Sequence, residues 1–371
     1  MFDLRREFLA KVRDLNNLQG LEIGALSSPI VDRERDKQNH KISYLDHLST
    51  PDLKDKYRSD ASVNIDEIVL VDFVCPDGDI VKAVGQTKFD YVVASHVVEH
   101  SPNFLEFLSA IFDILKPGGM AFFVVPDKRF TFDANRPLTS FGTVLERYLS
   151  GEIKPGVAAV YDHFATANAV DADKVWAGLT DPSTSPLLTS QVYAWEAANN
   201  VKEHDAYFDV HVNIFTPYNF FKIIESAVVH DVVMFEVENF QDTLPGQLEF
   251  MVALTKPFEP NLSLIKTQCL SSIPKLKLES ILAPYMPQVK SLSKALEEVT
   301  GVTSKLQQEL EELREESRLA SIHERGERER LQVALKTAQQ MLNRKSVKLI
   351  LSVVHKLYST FRLSENKKED G

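Results

Sequence analysis

Through residues 1–258, short runs of β-branched and aromatic residues alternate with segments of helical period. Strands separated by helices pair in parallel and are covered on both faces. The alternation therefore argues for an α/β fold, Rossmann-like and doubly wound around a mostly parallel sheet. The strand candidates are Gly20–Ile23, Lys41–Asp46, Ile68–Phe73, Phe89–Ala94 and Met120–Val125. Val228–Val237 and Glu249–Leu254 read as a closing antiparallel pair. In open α/β sheets ligands bind outside the carboxyl ends of the strands, so chemistry is expected just after each run. Residues 127–215, rich in His, Asp, Tyr, Phe and Trp, read as a substrate-cap insertion over that edge.

The first strand runs into Leu21-Glu22-Ile23-Gly24-Ala25-Leu26-Ser27-Ser28-Pro29. A glycine there lets the backbone turn tightly and approach a ligand. Asp46 ends the second strand 22 residues after Gly24, where a carboxylate can accept both hydroxyls of a ribose. Asp72 ends the third, where an adenine edge can sit. A lone glycine is equally a plain turn; the spaced acid is what raises a nucleotide site. GxGxxG is not matched, since Leu26 and Pro29 occupy its second and third places. GxxxxGK[ST] does not occur, so NAD and ATP are disfavoured.

The next two strands carry Phe89-Asp90-Tyr91-Val92-Val93-Ala94-Ser95-His96-Val97-Val98-Glu99-His100 and, beyond a helix, Leu115-Lys116-Pro117-Gly118-Gly119. Here the sequence resembles the class I S-adenosylmethionine-dependent methyltransferases. With "LEIGALSSP" and "ISYLDH" it is similar to a bacterial group associated with surface-polysaccharide (O-antigen) biosynthesis. The resemblance covers about residues 18–257 and implies S-adenosylmethionine as cofactor. By it, Glu22 and Gly24 contact the methionine part and Asp46 the ribose. Asp72 and Phe73 flank the adenine, and Ser95 and His96 line the floor beneath the sulfonium. Leu26 departs from the family pattern, which has a second glycine there. The implied acceptor is a hydroxyl or phosphate on a surface-glycan intermediate.

Beyond the fifth strand lies Asp127-Lys128-Arg129-Phe130-Thr131-Phe132-Asp133, with Arg136 further on. The cluster reads either as local ion pairs or as acceptor binding, with Lys128, Arg129 and Arg136 holding a phosphate or carboxylate. His163 and His211 lie near acids that can orient an imidazole as a base; Asp127 completes the catalytic candidates. Structural roles for the histidines stay open, and no metal is expected because no HExxH or similar spacing occurs. His100 is read as starting the helix after the fourth strand. Thr216-Pro217 reads as an N-cap followed by a first-turn proline.

Residues 259–290 hold four of the chain's last prolines, Pro260, Pro274, Pro284 and Pro287, and read as a linker with one short helix. Leu292, Val299, Leu306 and Leu313 are seven apart, and Leu331, Leu335, Ala338 and Leu342 resume a 4-3-4 spacing. Residues 291–343 are thus expected to form a coiled coil interrupted near Gly326, and to make a homo-oligomer. A single helix packed on its own domain is the other reading.

Charge divides the chain in the same place. The formal net charge is -11; residues 1–290 carry 27 basic and 40 acidic side chains, residues 291–371 carry 15 and 13. Residues 344–363 hold five Lys/Arg and no acid, on a helical apolar pattern. That basic amphipathic helix, followed by a polar tail to residue 371, suits a membrane surface or a glycan-assembly enzyme. The acidic body disfavours nucleic acid. Two distant cysteines and no signal-peptide pattern fit a cytoplasmic protein, peripheral on the inner face of the plasma membrane. A methyltransferase-like scaffold without turnover, and methylation of a small molecule or protein, are the competing functions.

Overall fold

The computed structural model describes residues 4–33, 41–258, 261–276, 286–316 and 325–342. They fall into two compact units, Met1–Tyr285 and Met286–Gly371.

The first unit is built on one seven-stranded sheet in the order β3-β2-β1-β4-β5-β7-β6. The strands are β1 (Gln19–Ile23), β2 (Lys41–Asp46), β3 (Phe73–Val74), β4 (Phe89–Ser95), β5 (Leu115–Pro126), β6 (Glu236–Gln241) and β7 (Glu249–Thr255). The first five pair in parallel, and β7 runs antiparallel to β5 and β6. Side chains alternate between two cores. Val92, Ala94, Phe123 and Val125 pack on one face; Tyr91, Val93, Phe122 and Val124 pack on the other. Burial on both faces explains why the central strands read as unbroken apolar runs.

Helices cover those faces. On one side α1 (Leu4–Val12) stacks Phe8 on Phe122 at 5.5 Å between ring centroids. After β2 comes α2 (Thr50–Lys56), and α3 (Ile80–Val84) and α4 (Phe104–Ile114) flank β4 in sequence. Asn103 caps α4 by accepting the Glu106 N–H. His100 therefore stands before the cap and does not start the helix, contrary to expectation. Four helices lie between β5 and the next core helix: α5 (Phe141–Ser150), α6 (Val157–Thr166), α7 (Ala172–Trp176) and α8 (Gln191–His204). Val160, Ala197, Val201 and Val210 form a small core of their own there. Thr216 and Asn219 make a reciprocal capping box at the start of α9 (Pro217–Val229), as the Thr-Pro pair predicts.

Three boundaries differ from the sequence reading. The third strand is two residues long and starts after Asp72, and residues 65–67 ahead of it form a 3-10 turn capped by Asn64. Val228 and Val229 complete α9, so only Glu236–Gln241 pairs with β7. Leu115–Gly119 is already strand, and the Gly118 N–H donates to the Lys256 carbonyl. At φ +74°, with a Cβ that would fall 1.8 Å from the Phe258 ring, Gly118 has no room for a side chain. The stretch read as a linker contains α10 (Leu262–Ser272), whose Cys269 is buried in the main core.

The second unit comprises α11 (Met286–Glu316) and α12 (Arg325–Leu342), which contact each other. Gly326 lies in the first turn of α12. The basic segment 344–363 lies outside the described residues. Among those described, no helix is long and apolar enough to cross a membrane.

Candidate functional site

The carboxyl ends of β1, β2 and β4 lie side by side, because Ile23 registers with both Leu45 and Ala94. Gly24 leaves β1 at φ +67°, and its N–H donates to the Leu45 carbonyl at 2.9 Å. A Cβ there would come 2.9 Å from Val97 Cγ2. Leu26 holds φ +47°, a left-handed conformation that favours glycine. Asp46, nearly buried, stands next in the row. Its Oδ1 accepts the His47 N–H at 2.7 Å and lies 2.6 Å from His47 Nδ1.

Glu22 is bonded to the loop backbone. Its two oxygens accept the N–H groups of Ile30 and Val31 at 2.7 and 2.9 Å, so it ties down the loop that follows β1. Burial pushes its carboxyl up to about 7, against the lowering effect of those two bonds and of Arg6. Asp72 is engaged as well. It accepts the Tyr44 N–H at 2.8 Å and pairs with Arg33. Phe73 is half-buried, edge-on to Phe89. The residues that leave β3 are Val74 and Cys75, not Asp72.

Ser95 ends β4, and His96 follows at φ +54°. A non-glycine residue held there is a strained position of the kind found at functional sites. His96 Nε2 lies 2.6 Å from Glu249 Oε2, and Glu249 accepts both Nε and a terminal nitrogen of Arg5. Burial alone would raise the Glu249 carboxyl; the His96 and Arg5 bonds outweigh it and hold it at about 2.

At the exit of β5 the cationic cluster is paired largely within itself, with Arg136 Nε left buried without a hydrogen-bond partner among the described residues. Arg129 and Asp127 are buried and doubly bonded, and Asp127 also accepts the Thr243 hydroxyl at 2.8 Å. Lys128 donates to the Arg136 carbonyl. Arg136 donates to Asp133 at 2.9 Å and to the His211 carbonyl at 2.8 Å. Of the two readings of this cluster, the geometry matches local ion pairs: Arg129 pairs with Asp127 and Arg136 with Asp133. Both pairs are buried and local in sequence, two and three residues apart.

What the fold brings together instead is a group of imidazoles and acids beside the β4 exit. His211 Nδ1 lies 2.5 Å from Asp133 Oδ2, and His100 Nδ1 lies 2.8 Å from Asp209 Oδ1. The His100 and His211 rings meet edge-on at 4.7 Å. Glu99 is fully buried between them. Its Oε1 is 3.5 Å from His96 Nδ1, 3.9 Å from His211 Nε2 and 4.0 Å from His100 Nε2. His163 closes the group, 6.2 Å from His211 between ring centroids. Burial, then the Arg136 charge, push its imidazole down to about 4, so it is neutral at pH 7. Its Nδ1 is buried without a hydrogen-bond partner among the described residues. Of this group, sequence reasoning missed Glu99, Asp133 and Asp209 as site residues. The adjacent Glu99-His100 pair after β4 was the available signal.

Residues 18–209, just over half of the chain, match the family described as a methyltransferase domain. The chain belongs to that family. The methyltransferase takes S-adenosylmethionine as its cofactor. The side-chain-free turn at Gly24 beside Val97 and the adjoining Asp46 carboxylate fit that group. Three solved structures resemble it distantly. The CurJ carbon methyltransferase is 10% identical, with 67% of this chain and 51% of that one covered at TM-score 0.33. An S-adenosylmethionine-dependent methyltransferase from Methanosarcina mazei is 14% identical, with 68% and 98% covered at 0.35. Human N-acetylserotonin methyltransferase, solved with S-adenosylmethionine, is 14% identical, with 68% and 52% covered at 0.32. The chain spans about half the length of the CurJ and human proteins. No curated protein matches it.

Proposed function

We propose that this chain methylates a hydroxyl or phosphate oxygen on a bacterial surface-glycan intermediate of the O-antigen type, with chain-end methylation as the form the tail suits. One observation carries the reaction class: Ser95–His100 joins the Gly24 cradle, through Val97, to the imidazole group, through Glu99 and His100. When bound, S-adenosylmethionine supplies an electrophilic methyl group on a sulfonium. The chain's own residues do the rest. Gly24 and Asp46 position the donor, and alignment with exclusion of water is the main requirement of such a displacement. A hydroxyl acceptor must also lose its proton. His163 Nδ1, buried and without a bonded partner among the described residues, is the acceptor for it. The insertion at 127–215 acts as the cap.

The glycan assignment is supported by the sequence resemblance alone. In the same reading residues 291–343 oligomerise as a coil, and 344–363 place the enzyme on the inner membrane face or on a glycan-assembly enzyme. Calorimetry with S-adenosylmethionine, repeated on Asp46→Ala, tests the donor half. Absence of binding to the wild-type protein would sink the proposal. Mass spectrometry of surface glycan from cells with and without the protein tests the acceptor half, through the loss of one methyl group. A scaffold without turnover is the second reading. Leu26 at φ +47° favours it, and cofactor binding without methylation of any extracted glycan lipid would support it.

A further inference from the structure

We propose that Glu99, His100 and His211 form a binding site for one divalent transition-metal ion of the zinc class, next to the methyl-donor cradle. One ligand atom from each of the three lies within 4.8 Å of the others. Glu99 is the decisive residue. It is 0% exposed, and neither carboxylate oxygen has a hydrogen-bond partner among the described residues. Buried carboxylates are paired, hydrogen-bonded or coordinated to a metal. The nearest imidazole nitrogens of His100 and His211 stand at 4.0 and 3.9 Å. That is too long for a hydrogen bond. It is close to the spacing of two ligands on one ion: metal bonds of about 2.1 Å in a tetrahedron place neighbouring ligands about 3.4 Å apart.

The imidazoles are aimed for it. Asp133 holds His211 Nδ1 in a 2.5 Å hydrogen bond, and the Asp209 carboxylate stands 2.8 Å from His100 Nδ1 as an ion-pair contact. A carboxylate at Nδ1 keeps the ring proton there and leaves Nε2 as a lone pair, the arrangement that orients histidine ligands on metals. The Nε2 atoms of both rings are the ones nearest Glu99. The two orienting carboxylates are themselves held, Asp209 by Lys56 at 3.5 Å and Asp133 by Arg136 at 2.9 Å. The strand-like segment that delivers His211 is pinned by the backbone: Val212 and Asn213 both donate to the Glu99 carbonyl, at 2.7 and 3.0 Å. Asn213 also donates to the Val98 and Ser101 carbonyls. The site is thus preformed across more than a hundred residues of sequence. Two imidazoles with one carboxylate suit zinc, cobalt, nickel or iron, whereas magnesium and calcium prefer oxygen ligands. Three protein ligands leave a position open. An acceptor oxygen bound there would lose its proton more readily. That role rests on the methyl-transfer reading; the site does not.

The full-length protein, stripped with chelator and dialysed, is titrated with zinc chloride and separately with cobalt chloride. One zinc per chain by elemental analysis after gel filtration, and a visible d–d band with cobalt, are expected. Glu99→Gln should weaken zinc binding by on the order of 100-fold, since even outer-shell changes cost 10- to 100-fold. His211→Gln should do the same, and His204→Gln, on the exposed end of α8, should not. No stoichiometric zinc on the wild-type protein overturns the site, and so does zinc that survives both Glu99→Gln and His211→Gln. The wild-type titration does not depend on any variant folding. Calorimetry with S-adenosylmethionine on the stripped protein separates the two proposals. Donor binding without any metal site overturns this inference alone, and a metal site without donor binding overturns the methyltransferase reading alone.

Discussion

Glu22→Gln removes one ionisable group from the loop behind Gly24 and leaves the side-chain shape nearly unchanged. In the folded protein the Glu22 carboxyl titrates at about 7 against an ordinary 4.5, because burial disfavours its charge. A folded pKa above the unfolded one means that the native state holds the proton longer. Between those values the folded chain binds more protons than the unfolded chain, so stability falls as pH rises and levels off above about 7. A difference of that size amounts to roughly 3 kcal/mol, most of it between pH 5 and pH 8. Glutamine abolishes that slope. It also adds a pH-independent cost, because its amide can accept only one of the Ile30 and Val31 N–H groups. Leaving a buried donor unsatisfied costs about 1–3 kcal/mol. The variant should therefore be clearly less stable at pH 5 and close to wild type at pH 8. Urea unfolding followed by fluorescence measures it, since both tryptophans, Trp176 and Trp195, lie in the sheet unit. Parallel pH profiles for the two proteins would refute the reasoning.

Gly24→Ala forces an L-residue to φ +67° and puts a methyl group 2.9 Å from Val97, so calorimetry should show S-adenosylmethionine affinity down at least about tenfold with the circular dichroism unchanged. Unchanged affinity would remove Gly24 from the cradle. Arg129→Ala strands the fully buried Asp127 carboxylate and should cost about 3–5 kcal/mol in urea unfolding. A cost below about 1 kcal/mol would mean that Thr243 and the backbone N–H of residue 129 suffice for it. Burial pushes the thiols of Cys75 and Cys269 up to about 11. At pH 8 about one in a thousand is ionised, so a disulfide reagent should label neither in the native protein and both in urea. Rapid native labelling would contradict the burial of both.

The positions that sequence located well are those where a local rule operates. β2 and the bulk of β4 were legible because apolar runs between polar boundaries have few alternatives. The capping box at Thr216 was legible because it needs only residues 216–219. Gly24 and Asp46 stand at the ends of β1 and β2 as expected, because the strand runs that set them there are local. Two kinds of position read less well. Asp72 precedes β3 instead of ending it, and Asp127, Arg129 and Arg136 are engaged by near sequence neighbours, with further partners added by the fold. Asp72 answers Arg33 and the β2 backbone; Arg129 answers Asp127 and Asp242. His100 was read as part of a helix start because it precedes one.

By itself, then, the sequence determined the sheet, the strand ends that form its carboxyl edge and the change of character near residue 291, since period, capping and turn chemistry act over a few residues. Only the tertiary structure decided which charged groups are free and which are answered. It sets His211 against Glu99, 112 residues away in sequence, through backbone bonds that no local pattern encodes. Whether a buried carboxylate is neutralised by a neighbour or left facing two imidazoles depends on distances of an ångström, and those exist only once the chain has packed.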